Sequence, residues 1–365
     1  MTSQISATDC TTSELINIKE KITIYTLAEE LSMTPSMVSR AFNQNAKIAE
    51  EKRMAVLKAA EKHGFIPNKF ASRLSMKTIR IGILIVYKAE HVRDGLLRGF
   101  RDAFGRVRDY KLEYSVTQIC ASEKSAHECR DELFAMKDLD GVILSGFGSS
   151  LCHELICDFA KVNPNIVFVQ NVCDDTPYLL ASKHDEELAA SIAAELLSQR
   201  LHYSKNKNIF VFTGDRTSSV HKRTFDAFLR NAKARGLHII GDFDMKDRND
   251  ILSENIDTVL GGLLPDIGGI YITSGNSSAL CEWLAGKDQD ISLVCSDVND
   301  SVSRHIENGT VFATLCQDLE TQAKNAFESL AQILLGNSDT ANNTRIIYTD
   351  VIPVFLANLH LYKNK

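Results

Sequence analysis

From Ile79 onward, short apolar runs take turns with amphipathic helical patterns, and that alternation restricts the fold more than any other feature of the chain. Ile79-Arg80-Ile81-Gly82-Ile83-Leu84-Ile85-Val86 is almost continuously apolar, as a strand covered on both faces of a parallel sheet has to be. Residues 141–145, 166–170, 209–213, 269–273 and 292–295 read the same way. Helical spacing marks residues 92–108, 125–136, 187–201, 220–235, 277–283 and 319–335. Strand and helix in this order predict doubly wound α/β units with parallel sheets, and the length from residue 79 to 365 suggests two such lobes.

In an open α/β sheet, ligands bind beyond the carboxyl ends of the strands. Three predicted strands run there into polar loops: Gly214-Asp215-Arg216-Thr217-Ser218-Ser219, Ser274-Gly275-Asn276-Ser277-Ser278, and Ser296-Asp297-Val298-Asn299-Asp300. Ala313 to Asp318 reads as a crossing back to the first lobe and brings Gln317 to the same place. With Arg223 on the helix that follows the first loop, these ends gather hydroxyls, amides, a guanidinium and a carboxylate. That is the donor and acceptor set a polyhydroxylated ligand needs.

Ahead of the α/β body, residues 22–74 have a different character. Ile24, Leu27, Ala28 and Leu31 form a stripe at helical spacing, and Thr34-Pro35 predicts a helix start, with Thr34 as N-cap and Pro35 at the first helical position. Two short helices about three residues apart read as a helix-turn-helix, whose second helix enters a DNA major groove. On that helix Met37, Val38 and Ala41 are placed to pack inward while Ser36, Ser39 and Arg40 face out. An ordinary packed helix pair would give the same pattern. Residues 48–63 predict a third helix with Met54, Leu57 and Ala60 on its apolar face and Gly64 as its C-cap.

Charge supports the nucleic-acid reading. The net charge is −6, yet residues 19–80 hold 12 Lys plus Arg against 6 Asp plus Glu, while residues 81–365 hold 29 against 39. A basic module on an acidic body suits a protein that grips phosphates with one end. Residues 1–18 are polar, rich in Ser and Thr, and read as a disordered leader. No apolar run reaches the length of a membrane span, and the start lacks the basic and apolar segments of a secretory signal, which points to the cytoplasm. The nine cysteines are scattered, form no Cys-x-x-Cys pair, and read as small buried hydrophobes.

The pattern Ile24-x-x-Leu27-Ala28-x-x-Leu31-x-Met33-Thr34-x-x-x-Val38-Ser39-Arg40-x-x-Asn43, followed by Gly64-Phe65-x-Pro67-Asn68-x-x-Ala71-x-x-Leu74, resembles the LacI/GalR family of bacterial transcription regulators. The resemblance implies a helix-turn-helix domain over residues 19–67 and a hinge helix and linker over 68–78. It implies a two-lobed, periplasmic-binding-protein-like effector and dimerisation domain over 79–365. It implies DNA contacts by Thr34, Pro35, Ser36, Ser39, Arg40 and Asn43, with Asn68, Ala71 and Leu74 in the hinge helix and Leu74 as a minor-groove wedge. Effector contacts fall on Ser219, Arg223, Asn276, Asp297 and Gln317, the last two matching the family best. Asp185 is expected to be a helix N-cap, and Asn276 is open between cap and ligand contact. The chain departs from the family where Ser32 replaces its turn glycine, where Ala227-Phe228 falls one residue late after Arg223, and where Gly275-Asn276 replaces Asn-Asp. The usual aromatic-rich loop after the first strand is Tyr87-Lys88-Ala89-Glu90-His91, so the effector is not inherited from a familiar member.

The expected function is therefore a ligand-responsive, DNA-binding repressor, a homodimer on a pseudo-palindromic operator, controlled by a small polar effector such as a sugar or sugar derivative. The residues show no catalytic or metal constellation and imply no cofactor. A solute-binding protein of a transport system would share the body but not residues 22–74. A nucleotide-dependent enzyme would have to use Gly146-Phe147-Gly148-Ser149-Ser150, which lacks the third glycine of a dinucleotide loop.

Overall fold

The computed structural model describes residues 24–42, 48–63, 78–107, 111–121, 126–336 and 346–363. The expected leader, Asn43 and the hinge positions Asn68, Ala71 and Leu74 lie outside them. The chain divides into two compact units, Met1–Met76 and Lys77–Lys365. No helix among the described residues is long and apolar enough to cross a membrane.

Among the described residues the first unit holds three helices, α1 (Ile24–Glu30), α2 (Pro35–Ala41) and α3 (Glu50–His63). Thr34 caps α2, its hydroxyl accepting from the Met37 amide at 3.3 Å, and Pro35 opens the helix. Leu27 and Ala28 of α1 meet Val38 and Ala41 of α2, and the Arg53 guanidinium of α3 donates to the Ala41 carbonyl at 3.0 Å. Of the three residues expected on the inner face of α3, Ala60 is buried, but Met54 is 58% and Leu57 40% exposed, and Val56 and Ala59 are buried in their place. Two of the three buried residues of α3 are small alanines, which pack against the core formed with α1 and α2. Ser32, at the turn position, has φ +49.

The second unit is two sheets, each with helices on both faces. The first lobe has strand order β11-β5-β4-β3-β1-β2, all parallel, where β1 is Ile79–Tyr87, β2 Leu112–Cys120, β3 Gly141–Ser145, β4 Ile166–Val169, β5 Leu180–His184 and β11 Ile346–Thr349. The second has β12-β10-β9-β8-β6-β7, with β6 Asn208–Thr213, β7 His238–Asp244, β8 Gly269–Ile272, β9 Ser292–Ser296, β10 Val311–Cys316 and β12 Ile352–Val354. Among the described residues only β12 runs antiparallel. Central strands are buried throughout, which accounts for their unbroken apolar runs. Helices α4 (Glu90–Val107), α5 (Ala126–Ala135), α6 (His153–Ala160) and α12 (Leu319–Leu334) cover the first sheet. Helices α7 (Glu186–Arg200), α8 (Ser219–Ala234), α9 (Asn249–Leu260), α10 (Ser278–Ala285) and α11 (Asp300–Glu307) cover the second.

The chain passes between lobes three times: from β5 into α7, from β10 into α12, and from β11 into β12. The passes are laced together, because Thr349 is the strand partner of His184 and its hydroxyl donates to the Gln317 carbonyl at 3.4 Å. Gly146, the first residue after β3, has φ +87, and a Cβ there would lie 2.0 Å from the Val86 carbonyl oxygen. That close approach explains the glycine of the loop that mimicked a nucleotide motif. The segment continues into a 3₁₀ turn at Ser150–Cys152 before α6.

Candidate ligand site and the surface of the helical unit

Between the two lobes, at the carboxyl ends of both sheets, lies a cavity of about 600 Å³. The second lobe contributes the strand-end loops. Asp297 follows β9 with φ +64, is 6% exposed, and has its amide bonded to the Leu315 carbonyl at 2.8 Å. Its carboxylate meets His91 Nε2 of the first lobe at 3.3 Å. A Cβ at Gly275 would lie 2.6 Å from that carboxylate and from His91, so Gly275 leaves the room in which the pair forms. Asn276 donates from its side chain to the Asp247 carbonyl at 2.8 Å. It is not the cap of α10, whose N-cap position is Ser277. Asn276, Asp297 and Gln317 all line the cavity.

Ser219 and Arg223 are placed elsewhere. Arg223 Nη1 reaches both Asp174 oxygens at 2.9 Å, and Nη2 donates to Glu186 Oε1 and Ser219 Oγ, each at 3.1 Å. The Ser219 hydroxyl donates to the Val172 carbonyl at 2.8 Å. Neither side chain lines the cavity. Asp174 belongs to the first lobe and Glu186 opens α7, so Arg223 fastens the lobes beside the first pass of the chain. Behind it the buried Lys183 is paired with Glu186. Although burial alone would raise the Glu186 carboxyl, Lys183, His184 and Arg223 hold it below the ordinary carboxylate range. Asp185 caps α7, accepting from the amides of Glu187 and Leu188.

Four cavity residues had no motif to announce them. Lys88, after β1, crosses to Asp215 at 3.0 Å and lies 3.9 Å from Asp247. His221 Nε2 meets Asp247 at 3.0 Å, and its Nδ1 is 3.4 Å from the Thr273 hydroxyl. Burial opposes the charged imidazole, but the Asp247 carboxylate outweighs it and holds His221 above its ordinary pKa. Asp247 in turn lies well below the ordinary carboxylate range: burial pushes it up, and the attraction and hydrogen bond of His221 overcome that. His184 is 3% exposed at the end of β5, and burial pushes it toward the neutral imidazole. Its Nδ1 is buried with no hydrogen-bond partner. A buried polar atom in that condition is costly unless a bound group or water satisfies it. The readable signal for Asp247 was the charged stretch Asp244-Met245-Lys246-Asp247-Arg248, where Lys246 and Asp247 both take positive φ.

The helical unit presents a second surface. Ser36 and Arg40 are exposed on α2, Ser39 is half-buried, and Thr34 and Pro35 lie exposed at its N-terminus. Val38 and Ala41 are buried on the opposite face.

Residues 165–338 match the model of the periplasmic binding protein domain family. Catabolite control protein A of Streptococcus mutans is 29% identical over 194 residues, 52% of this chain and 55% of that one. The HTH-type transcriptional regulator TreR of Salmonella typhimurium is 25% identical over 225 residues, 60% of this chain and 66% of that one. The curated relatives are LacI/GalR-family regulators, and this chain is similar to them over the spans given. These matches span between about half and just under two thirds of the curated relatives' own length. Those relatives are named as a control protein and a transcriptional regulator, not as enzymes. Among solved structures, a solute-binding protein from Burkholderia graminis in complex with D-arabinose has a TM-score of 0.69 at 14% identity, covering 79% of this chain and 98% of that one. The lac repressor dimer bound to operator and the anti-inducer ONPF has a TM-score of 0.60 at 15% identity, covering 92% and 98%. The two likenesses establish the fold: a periplasmic-binding-protein-like body of two parallel-sheet lobes.

Proposed function

We propose that the chain is a ligand-responsive, DNA-binding transcription regulator of the cytoplasm, a repressor that holds a pseudo-palindromic operator as a homodimer. One observation carries the reading: a basic unit of short helices with Ser36 and Arg40 exposed on α2 shares a chain with a two-lobed body. In that body Asn276, Asp297 and Gln317 meet at the cavity between the lobes. The solved solute-binding neighbours account for the body alone, and leave the helical unit without a task.

In this reading α1 and α2 are the helix-turn-helix. Thr34, Pro35, Ser36, Ser39, Arg40 and Asn43 lie against the major groove, and Asn68, Ala71 and Leu74 form a hinge helix in the minor groove. A small polar effector, a sugar or sugar derivative, is held between the lobes by Asp297, Asn276 and Gln317. Ser219 and Arg223 act on lobe closure. Closure changes how the dimer presents its helical units, which couples the two sites, and linkage then requires DNA to change effector affinity by the same factor.

The test is selection of binding sites from a random duplex pool with the full chain, followed by titration of a sugar panel into the chain with and without the selected duplex. A pseudo-palindromic consensus, and a sugar whose affinity differs between the two titrations, are expected. Failure to enrich any sequence would remove the DNA role. A sugar that binds equally well with and without DNA would remove the regulation.

A further inference from the structure

The cavity is not uniform in its chemistry, and the pattern goes beyond a site for a bare sugar. Its carboxylates, Asp215, Asp247 and Asp297, all come from the second lobe. The wall formed by the first lobe's β3 end and α6 is apolar: Phe147, Cys152 and Leu155 line it, and Leu151 stands at its edge. Phe147 is 2% exposed and Leu155 half-buried, but Leu151 is 82% exposed. The 3₁₀ turn that carries Leu151 is fixed in place across the lobes. Ser149 pairs with Ser218 as an antiparallel bridge, the Ser150 amide donates to the Thr217 carbonyl at 3.2 Å, and the Ser149 hydroxyl caps the turn. A leucine held rigidly in water at a cavity edge, continuous with an apolar wall, gains only when something apolar covers it.

Polar groups line this end as well, His127, Arg130, Gln170 and Asn171 among them, and several already have partners within the first lobe. Gln170 accepts from the Ser145 hydroxyl, and Asn171 accepts from the Gly146 amide at 3.2 Å. Arg130 stacks over Phe134 at 4.7 Å and lies 3.8 Å from Asp158. His127 is exposed on α5. A volume of about 600 Å³ is that of a site for a drug-sized ligand, which leaves room beyond a single sugar ring.

We propose that the ligand is amphipathic, a glycoside whose hydroxylated ring lies against Asp297 and Asn276 and whose apolar aglycone runs over Phe147, Cys152 and Leu155 to Leu151. The inference rests on the effector-binding reading above and names the ligand class for it. The aglycone covers the exposed leucine, and a ring hydroxyl supplies the partner for the buried His184 Nδ1.

The experiment is calorimetric titration of the full chain with matched methyl and n-hexyl β-glycosides of glucose, galactose and mannose, with hexyl-triethylene glycol as the sugar-free tail. At least one hexyl glycoside is expected to bind tenfold or more tightly than its methyl partner, with a more negative heat-capacity change. Leu151→Ser and Leu155→Ser are expected to shrink the hexyl-to-methyl ratio at least threefold each. Because Leu151 is exposed, its variant keeps the parental melting curve. Equal affinity for hexyl and methyl partners overturns the apolar subsite while leaving the effector reading intact, as does a ratio that neither leucine variant changes. Binding of the sugar-free tail as tight as the hexyl glycoside shows a non-specific grease contact and overturns it too. If no glycoside of either kind binds, the proposal and the sugar reading beneath it fall together.

Discussion

Ser32 holds a left-handed backbone at φ +49 where the family's turn has glycine. That conformation costs a side-chain-bearing residue roughly 1–2 kcal/mol, and glycine gives back only about 0.5–1 kcal/mol through its freer unfolded chain. Ser32→Gly should therefore stabilise the helical unit by about 0.5–1 kcal/mol, read as a higher urea midpoint of its helical signal. An unchanged or lower midpoint would show that the Ser32 backbone is not strained. Eight positions on, Arg40 is exposed on α2 and its planar fork matches the acceptor edge of guanine. Arg40→Ala is expected to cost about 1–3 kcal/mol of DNA binding and to relax one base pair per half-site in a binding-site selection. An unaltered consensus would take Arg40 off the bases. For Asp297, replacement by Ala removes a charged acceptor worth roughly 1.5–3 kcal/mol. The tightest glycoside of the panel should lose at least tenfold in affinity while DNA binding without sugar stays parental. Equal sugar affinity in the two proteins would put Asp297 outside the site.

At the scale of elements, the strands that surround the cavity explain what could and could not be read from the chain. Ile81 to Ile85, Val142 to Leu144 and Leu293 to Cys295 are fully enclosed, so their composition alone marked them as parallel strands. The strands β2 and β7 lie at sheet edges, where one side faces water and the residues alternate or mix, as in Leu-Glu-Tyr-Ser-Val-Thr-Gln-Ile-Cys. They left no clear signature, and with β7 went the loop that presents Asp247. Asp297 was legible because a carboxylate after a buried strand is positioned by that strand alone. Arg223 was not, because its place depends on Asp174 and Glu186, which are remote in sequence and leave no local pattern. The His221–Asp247 pair, joining α8 to the end of β7, makes a pH-dependent contribution with a definite sign. His221 is raised, so its share is complete below the ordinary imidazole pKa and is lost as pH rises through the folded value. Asp247 is depressed, so its share is complete above the ordinary carboxylate pKa and is lost as pH falls through the folded value. The pair is worth most between about pH 4 and 6.5. His184 is lowered and contributes the opposite slope near neutrality, so the comparison must be made by difference. The stability gap between parent and His221→Gln, from urea melts, should narrow as pH rises from 6 to 9. A gap that stays constant would show that His221 is neutral in the folded chain at pH 6.

For the whole molecule, the helical unit has a core of its own in Leu27, Ala28, Val38, Ala41, Val56, Ala59 and Ala60, separate from the four clusters that fill the two lobes. Two cores without shared residues predict two calorimetric transitions, the smaller for the helical unit, and addition of the selected duplex should raise the smaller one with the logarithm of DNA concentration. A single transition for the full chain would mean that the cores melt as one. The three laced passes between lobes carry a further consequence. One connecting strand would let the lobes swivel in any direction, but three side by side, with Thr349 tied to both His184 and Gln317, act as a strip that bends and does not twist. The lobes can then open and close along a single arc. A ligand gripping both walls has only that arc on which to spend its binding free energy, and the end of the strip farthest from the ligand must swing with it.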